Sequence, residues 1–171
     1  MLKRISILLT CFFSSFCFAE GLVLGAAIGF VGLEDDETDV DLKAIPLVIG
    51  YEVASENSFT FVPELRLGFG IGDDTADGIK YEIDTFTAIG VRGQFQANDN
   101  AYVFITPTWA KAKLKASAMG ESGSGSEDDF GIQIGAGMEI SDGFSAEISW
   151  ESYDMAGTDI DMLNIGLRMA L

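Results

Sequence analysis

The chain has 171 residues, the length of one domain. Its 27 acidic and 10 basic residues give a formal net charge of −17, which makes nucleic acid and anionic membrane surfaces poor partners. Its mean hydropathy is nevertheless positive, at +0.26. A chain that is both acidic and apolar must keep the two kinds of residue in separate places.

The first 19 residues have the organisation of a secretory signal peptide. Lys3-Arg4 is a basic start, residues 5–18 are an apolar run, and Cys17-Phe18-Ala19 is a small-x-small cleavage pattern. The apolar run is shorter than the roughly 20 residues that a spanning helix needs. We expect residues 1–19 to be removed, and the remaining domain, residues 20–171, then has no cysteine and a net charge of −17 − 2 = −19.

From Leu22 onward, runs with an apolar residue at every second position predict strands with one apolar face. The apolar faces of the first three runs are Leu22, Leu24, Ala26, Ile28, Phe30; Ile45, Leu47, Ile49, Tyr51, Val53; and Phe59, Phe61, Leu65, Leu67, Phe69. Pro46 and Pro63 lie inside these runs. Because proline donates no ladder hydrogen bond, they are expected to mark bulges.

Five further runs follow the same pattern, which brings the number of predicted strands to eight. Their outward faces are Ile83, Thr85, Thr87, Ile89, Val91, Phe95; Val103, Ile105, Trp109; Phe130, Ile132, Ile134, Ala136, Met138, Ile140; Phe144, Ala146, Ile148, Trp150; and Leu163, Ile165, Leu167, Met169, Leu171. In the fourth run Asp84 is expected to point inward. The fifth run is ambiguous, and the preferred register turns Tyr102 and Phe104 inward.

The connectors between the runs alternate between long acidic segments and short polar turns. The long segments are residues 34–41, 72–78, 117–129 and 154–161. Residues 34–41 hold six acids in eight positions and are expected to be outside any strand, and the Gly/Ser-rich residues 117–129 are expected to be a mobile loop. In an up-and-down barrel this alternation places all four long connectors on one side.

The last strand carries the clearest local motif. Asn164, Gly166, Met169 and Leu171 resemble the C-terminal assembly signal of bacterial outer-membrane β-barrel proteins, whose usual last residue is Phe where this chain has Leu. Together with the strand pattern, the chain resembles the small eight-stranded outer-membrane barrels, the class of the OmpA membrane domain and OmpX. The resemblance implies an all-β, eight-stranded antiparallel up-and-down transmembrane barrel in a Gram-negative outer membrane, surrounded by lipid and inserted by the barrel assembly machinery through this strand. We expect it to be a monomer.

The inward faces of the runs carry charges in a lumen too narrow for bulk water, so these charges must pair. The predicted lumen network is Glu52, Glu64, Arg66, Arg92, Glu139, Glu147 and Arg168; Gln94, Gln133, Glu151 and Asn164 are also expected to point inward. Two interpretations remain open. The network either fills and stiffens the lumen, or gates a narrow channel for ions or small solutes; in the OmpA-like family, similar internal pairs do one or the other.

Two further features offer weaker predictions. Asp73, Asp77 and Asp84 faintly match the ligand spacing of a calcium loop, but the flanking helices are missing, and no other metal or cofactor is expected. Lys111, Lys113 and Lys115 lie at the end of the fifth run, residues 101–115, beyond the bilayer edge, where they could contact lipopolysaccharide phosphates or simply balance nearby acids.

The chain has no histidine, on which barrel enzymes of this architecture rely for proton transfer. We therefore expect a non-enzymatic protein with a structural or surface-interaction role through its acidic external loops, with the narrow channel as the alternative. A soluble lipocalin-like carrier is a third possibility. It requires an apolar lumen and a Gly-x-Trp motif near the first strand, which is missing. The sequence identifies no surface ligand.

Overall fold

The computed structural model describes residues 21–35, 38–53, 58–76, 78–118, 121–155 and 158–171. The predicted signal peptide lies outside these ranges. Every named element is a strand: β1 Leu22–Asp35, β2 Thr38–Tyr51, β3 Phe59–Gly70, β4 Asp74–Ala76, β5 Ile79–Gln96, β6 Ala101–Ala118, β7 Glu121–Ser141, β8 Phe144–Met155 and β9 Thr158–Ala170. Within the described ranges, no helix has the length and apolar character to cross a membrane.

Eight of the strands form one closed antiparallel barrel. Each pairs with its neighbour in the chain, β3 pairs with β5, and β9 pairs with β1 to close the sheet. The short β4 adds to the outer end of β5, opposite residues 79–81. Backbone hydrogen bonds of Gly21 and Leu22 with Leu171 join the start of β1 to the last residue of the chain. The predicted fold class is confirmed.

The lower part of every barrel strand, toward the short turns, exposes a belt of apolar side chains on the outside. Ile89, Phe130 and Met138 are 58–59 % exposed. A soluble protein rarely exposes a continuous apolar surface of this kind. In β6, Val103, Ile105 and Trp109 are exposed while Tyr102 and Phe104 are buried, so the preferred facing of the fifth run is confirmed. The charged interior excludes the lipocalin-like carrier.

Bulges occur away from the prolines. The register between β2 and β3 continues unchanged through Pro46, and that between β3 and β5 continues through Pro63. One register shift instead lies between Ile83 and Thr85, which makes Asp84 the extra residue of a bulge in β5. The bulge reverses the strand's faces, so Ile83 packs inside and Asp84 points outward to Lys113, the opposite of the prediction.

The expected long loops are mostly extended hairpins. β1 and β2 pair as far as Asp35 and Thr38, so residues 34–41 are largely strand, and β6 and β7 pair as far as Ala118 and Glu121. The described residues of 117–129 and 154–161 are strand in the same way, and β4 lies between residues 72 and 78. The prediction of non-strand loops was wrong. Pairing with the neighbouring strand holds these segments extended, and where acids stand beside apolar residues, as at Asp159, Ile160 and Asp161, the acids are exposed and the apolar side chain is buried.

The barrel therefore changes polarity along its length while its strands continue without interruption. Toward the turns, apolar side chains point out and charged ones point in. Toward the long hairpins, Asp41 and Lys43 are exposed while Leu42 and Val40 are buried inside. We call the lower part the membrane belt and the upper part the acidic collar. In the collar the barrel is built as a soluble one would be, with water outside and an apolar interior.

Candidate functional site

The interior of the belt is crossed by a linear network of ion pairs. Arg92 pairs with Glu147, Glu147 with Arg168, Arg168 with Glu64, Glu64 with Arg66, and Arg66 with Glu151, so that the charges alternate along the network. Three carboxylates balance three guanidinium groups, and their net charge is zero. This neutrality is what allows six charged groups to be buried together inside the barrel.

Arg66 holds the end of the network nearer the collar. Its Nη1 lies 2.5 Å from a Glu151 carboxylate oxygen, its Nη2 donates to Thr108 Oγ1 over 2.7 Å, and its Nε lies 3.6 Å from Glu64. The Tyr153 hydroxyl donates to the same Glu151 carboxylate. The arginine and both carboxylates are almost completely buried, so each depends on its partners for the hydrogen bonds that water would otherwise supply.

Arg92 lies at the other end of the network, and its contacts fix the orientation of its guanidinium plane. Its two terminal nitrogens lie 2.6 and 3.2 Å from the two Glu147 oxygens, the paired geometry that arginine and carboxylate favour. Its Cζ lies 3.4 Å from the Phe104 ring centre, and Tyr102 donates its hydroxyl to Glu147 over 2.7 Å. Arg92 is 1 % exposed. Stacking on an aromatic ring adds a cation–π contact to the ion pair.

Two predicted members lie outside the network. Glu52 and Glu139 line a cavity of about 120 Å³ at the turn-side mouth, together with Tyr102 and Arg168. Glu139 accepts a hydrogen bond from the Gly143 N–H over 3.3 Å, and within the described residues neither carboxylate makes an ion pair. Five of the seven predicted residues thus come together: Glu64, Arg66, Arg92, Glu147 and Arg168.

Sequence reasoning missed several contacts of this network. Glu151 was placed on the inward face but not among the site residues, although it pairs with Arg66. Tyr102, Tyr153 and Thr108 were not considered as hydrogen-bonding partners. Alternation identifies which side chains point inward, but the partners stand on strands far apart in the chain; Arg92 and Glu147 are 55 positions apart. Only the barrel's register brings them to one level.

An apolar cluster fills the interior on the collar side of the network. Its buried members are Val31, Leu33, Val40, Leu42, Ala44, Phe86, Ala88, Ala110, Ala112, Tyr153, Met155, Ile160 and Met162. The cluster contains no charged residue. Among the ion pairs themselves the free space is a cavity of about 40 Å³. The interior thus passes from a polar mouth through paired charges to an apolar end, and an ion crossing it would have to lose its water there.

The outer wall of the collar carries a second set of ion pairs, across β4, β5 and β6. Lys113 lies 2.7 Å from Asp84, Lys115 lies 3.5 Å from Glu82 and 3.6 Å from Asp84, and Lys80 lies 3.2 Å from Asp73. The hydrogen bond from Lys113, with the charges of both lysines, lowers the pKa of the Asp84 carboxyl. Lys113 and Lys115 are therefore already engaged, and of the three predicted lysines only Lys111 makes no ion pair with the described residues.

The faint calcium motif does not form a common site in the described residues. Asp73 and Asp84 pair with different lysines, Asp77 lies outside the described ranges, and no group of three or more potential metal-ligating side chains occurs within them. Asp74, next in the chain, accepts hydrogen bonds from the backbone N–H groups of Asp41 and Thr75, and these lower the pKa of its carboxyl. This aspartate fastens β4 to β2.

The residues of the predicted assembly signal occupy three different surroundings. Met169 and Leu171 point outward, 37 % and 49 % exposed. Asn164 is buried in the lumen near Glu151. Gly166 lies against β1, where a Cβ atom would come within 2.6 Å of the Ala26 carbonyl oxygen and Ala27 Cβ. Glycine at this position lets the last strand approach the first closely enough to close the barrel.

Most of the chain's charge lies in the collar and its hairpins. Residues 33–43, 71–85, 111–129 and 152–161 contain 18 of the 27 acids and five lysines, which gives these segments a net charge of −13. The paired lumen contributes none of it.

A closed antiparallel barrel with an apolar outer belt and a charged interior is the architecture of a transmembrane β-barrel. The chain belongs to the family described as outer membrane protein beta-barrel domain, whose model matches residues 8–169. The protein is accordingly an outer-membrane protein, as the resemblance implied. No curated protein matches the chain by sequence.

Several solved structures share the fold. Ail, the attachment invasion locus protein of Yersinia pestis, superposes with a TM-score of 0.69 at 15 % identity, over 89 % of this chain and 99 % of Ail. Neisserial surface protein A gives 0.65 at 10 % identity, over 88 % and 97 %. The N-terminal barrel domain of Pseudomonas aeruginosa OprF gives 0.59 at 13 %, over 86 % and 97 %. At these identities the similarity describes the fold alone.

Proposed function

We propose that this protein is a non-enzymatic, monomeric surface protein that holds a rigid acidic collar outside the outer membrane and engages cationic partners through it. The carrying observation is the change of polarity along uninterrupted strands. It supports a collar built from paired strands that continue the barrel wall, apart from a gap between β7 and β8, rather than from a set of separate loops. A surface held in this way loses little conformational entropy when a partner binds.

The charge of the collar favours one chemical class of partner. A net charge of −13 in these segments attracts polycations and divalent counter-ions and repels polyanions. Ail is described in complex with the heparin analogue sucrose octasulfate, a polyanion. Despite the shared fold, we expect this chain to have the opposite preference.

The channel alternative receives less support. A conducting path would have to cross the apolar cluster at the collar end, and the charged groups beneath it are paired with one another. Of the three lysines for which contact with lipopolysaccharide was predicted, we retain Lys111, and we add Lys43, which is also exposed at the upper edge of the belt. Lipopolysaccharide phosphate is the group we propose they meet.

The surface proposal is tested with the protein reconstituted in neutral lipid nanodiscs and probed with polylysine and with heparin. Polylysine should bind in a salt-sensitive way and heparin should not. Asp154→Asn, Asp159→Asn and Asp161→Asn together should weaken polylysine binding severalfold. The control is Asp99→Asn with Asp142→Asn, which removes acids on the turn side. Equal loss in both variants, or preferred binding of heparin, would refute the proposal.

A further inference from the structure

The collar interior contains unfilled apolar space. Two adjoining cavities, of about 20 and 140 Å³, share Ala112, Leu114, Met155 and Ile160 as lining residues. The smaller is lined by apolar side chains throughout, and the larger adds Gly125, Glu127 and Thr158 near the rim. We call the two together the collar chamber. Apolar space of this size accepts apolar molecules.

The barrel wall is incomplete beside this chamber. β7 pairs with β8 only from Gly131, opposite Tyr153, toward the turns. Above that point, within the described residues, β7 pairs with β6 alone. Gly125 and Glu127 line the larger cavity from one side of the gap, and Met155 and Ile160 line it from the other. The gap starts at the lipid-facing Phe130, so the chamber is reached from the zone where membrane surface and water meet.

The rim of the gap is acidic. Glu127 is exposed and makes no ion pair with any described residue. Lys113 and Lys115 on the neighbouring strand point to the outer wall, where Asp84 and Glu82 hold them. A molecule that enters therefore finds an apolar interior and a carboxylate at the entrance, with no lysine available there to receive an anion.

We propose that the collar chamber is a binding site for a small cationic amphiphile, with its apolar group inside and its ammonium group at Glu127. The larger cavity is close in size to an apolar cavity of about 150 Å³ that binds benzene, so the apolar group holds about six carbon atoms. This site goes beyond the surface role proposed above and does not depend on it, because polylysine is too large to enter the chamber.

The methionines of the chain allow a direct test. Met155 and Met162 line the chamber, whereas Met138 and Met169 face lipid. The protein, labelled with ¹³C at the methionine methyl groups and placed in nanodiscs, is titrated with hexylammonium, hexanoate and 1-hexanol. Hexylammonium should shift the Met155 and Met162 signals in a saturable way. The Met138 and Met169 signals should change only in proportion to the amount of ligand dissolved in the lipid.

Two substitutions separate the parts of the site. Glu127→Gln should weaken hexylammonium binding about three- to fivefold, the usual size of an exposed ion-pair effect, and leave 1-hexanol binding unchanged. Ala112→Phe fills the space shared by both cavities and should abolish binding of both ligands. Its matched control, Ala136→Phe, places the same ring on the lipid face of β7. If Ala112→Phe does not fold, Leu114→Trp fills the same space.

Three outcomes would overturn the proposal. Shifts confined to Met138 and Met169 would show partition into lipid only. Hexanoate binding as tightly as hexylammonium would remove the role of Glu127. Unchanged binding in a folded Ala112→Phe or Leu114→Trp variant would place the ligand elsewhere. None of these outcomes bears on the binding of polylysine to the collar surface, so the two proposals fail separately.

Discussion

At the scale of single residues, the lumen is organised by which charges face each other at the same depth. Alternation predicted the inward direction of Glu64, Arg66, Arg92, Glu147 and Arg168, and all five join the network. The same rule included Glu52 and Glu139 at the turn-side mouth, which make no ion pair with any residue in the described ranges. A period of two fixes the side of the sheet but not the height in the barrel, which depends on the stagger of all eight strands.

Removing one member of this network should cost much more stability than removing a carboxylate at the mouth. Glu151→Ala leaves Arg66 charged and buried, so we expect a loss of about 3–5 kcal/mol in the free energy of unfolding. Glu52→Ala removes a side chain that makes no ion pair with the residues that the structure describes, and we expect a change of about 0.5 kcal/mol or less. Urea unfolding of both variants in lipid vesicles measures the difference; equal losses would refute the network as the stabilising feature.

On the outer wall, Asp84 should titrate below the ordinary range of an aspartate. Since Lys113 lowers its pKa in the folded protein, Asp84 adds stability above its unfolded pKa, and this contribution is lost as pH falls through the lower folded pKa. A carboxyl-detected NMR titration should show the low midpoint, and Lys113→Ala should raise it. An unchanged midpoint in Lys113→Ala would show that the hydrogen bond has no influence on the carboxyl.

At the scale of the strands, the sequence predicted the membrane part well and the collar poorly. Every strand segment with apolar residues on its outer face was identified, because contact with lipid on one side of the sheet imposes strict alternation. Described residues of 154–161 also alternate, with Asp154, Asp159 and Asp161 outside and Met155 and Ile160 inside, whereas residues 34–41 are almost all acidic; in both segments the charge density suggested loops. The one reversed facing, at Ile83 and Asp84, follows from a single inserted residue, which alternation alone does not reveal.

Within β7, glycines allow rings of the neighbouring strands to lie flat against the wall. A Cβ atom at Gly137 would overlap the Tyr102 ring, whereas one at Gly125 would meet nothing within 4 Å. Gly137→Val should therefore destabilise the protein by about 1–3 kcal/mol or more through overpacking. Gly125→Val, on the same strand, should be nearly neutral. Urea unfolding in lipid vesicles compares the stability of the two variants. Equal effects would show that the strand propensity of the new residue, rather than overlap with the Tyr102 ring, determines the change in stability.

At the scale of the molecule, the barrel is an anchor with a closed interior and a charged outer end. The apolar cluster and the paired network lie in series along its axis, so ions meet first a neutral set of pairs and then an apolar layer. In planar bilayers the folded protein should show no discrete conductance steps. Salt-dependent steps that change in Arg66→Ala or Glu64→Ala would instead establish the channel alternative.

The central claim is that the outer surface changes from lipid-facing to water-facing along uninterrupted strands, and β9 tests it most directly. Outside the predicted signal peptide the chain has no cysteine, so single cysteines along Thr158–Ala170 can carry spin labels. Spin labels at Asp159 and Asp161 should relax faster in the presence of a water-soluble nickel reagent. Those at Leu163, Ile165 and Leu167 should relax faster in the presence of oxygen dissolved in the lipid. Those at Ile160 and Met162 should respond to neither reagent. An outward face that stays in one environment from Asp159 to Leu167 would contradict the account.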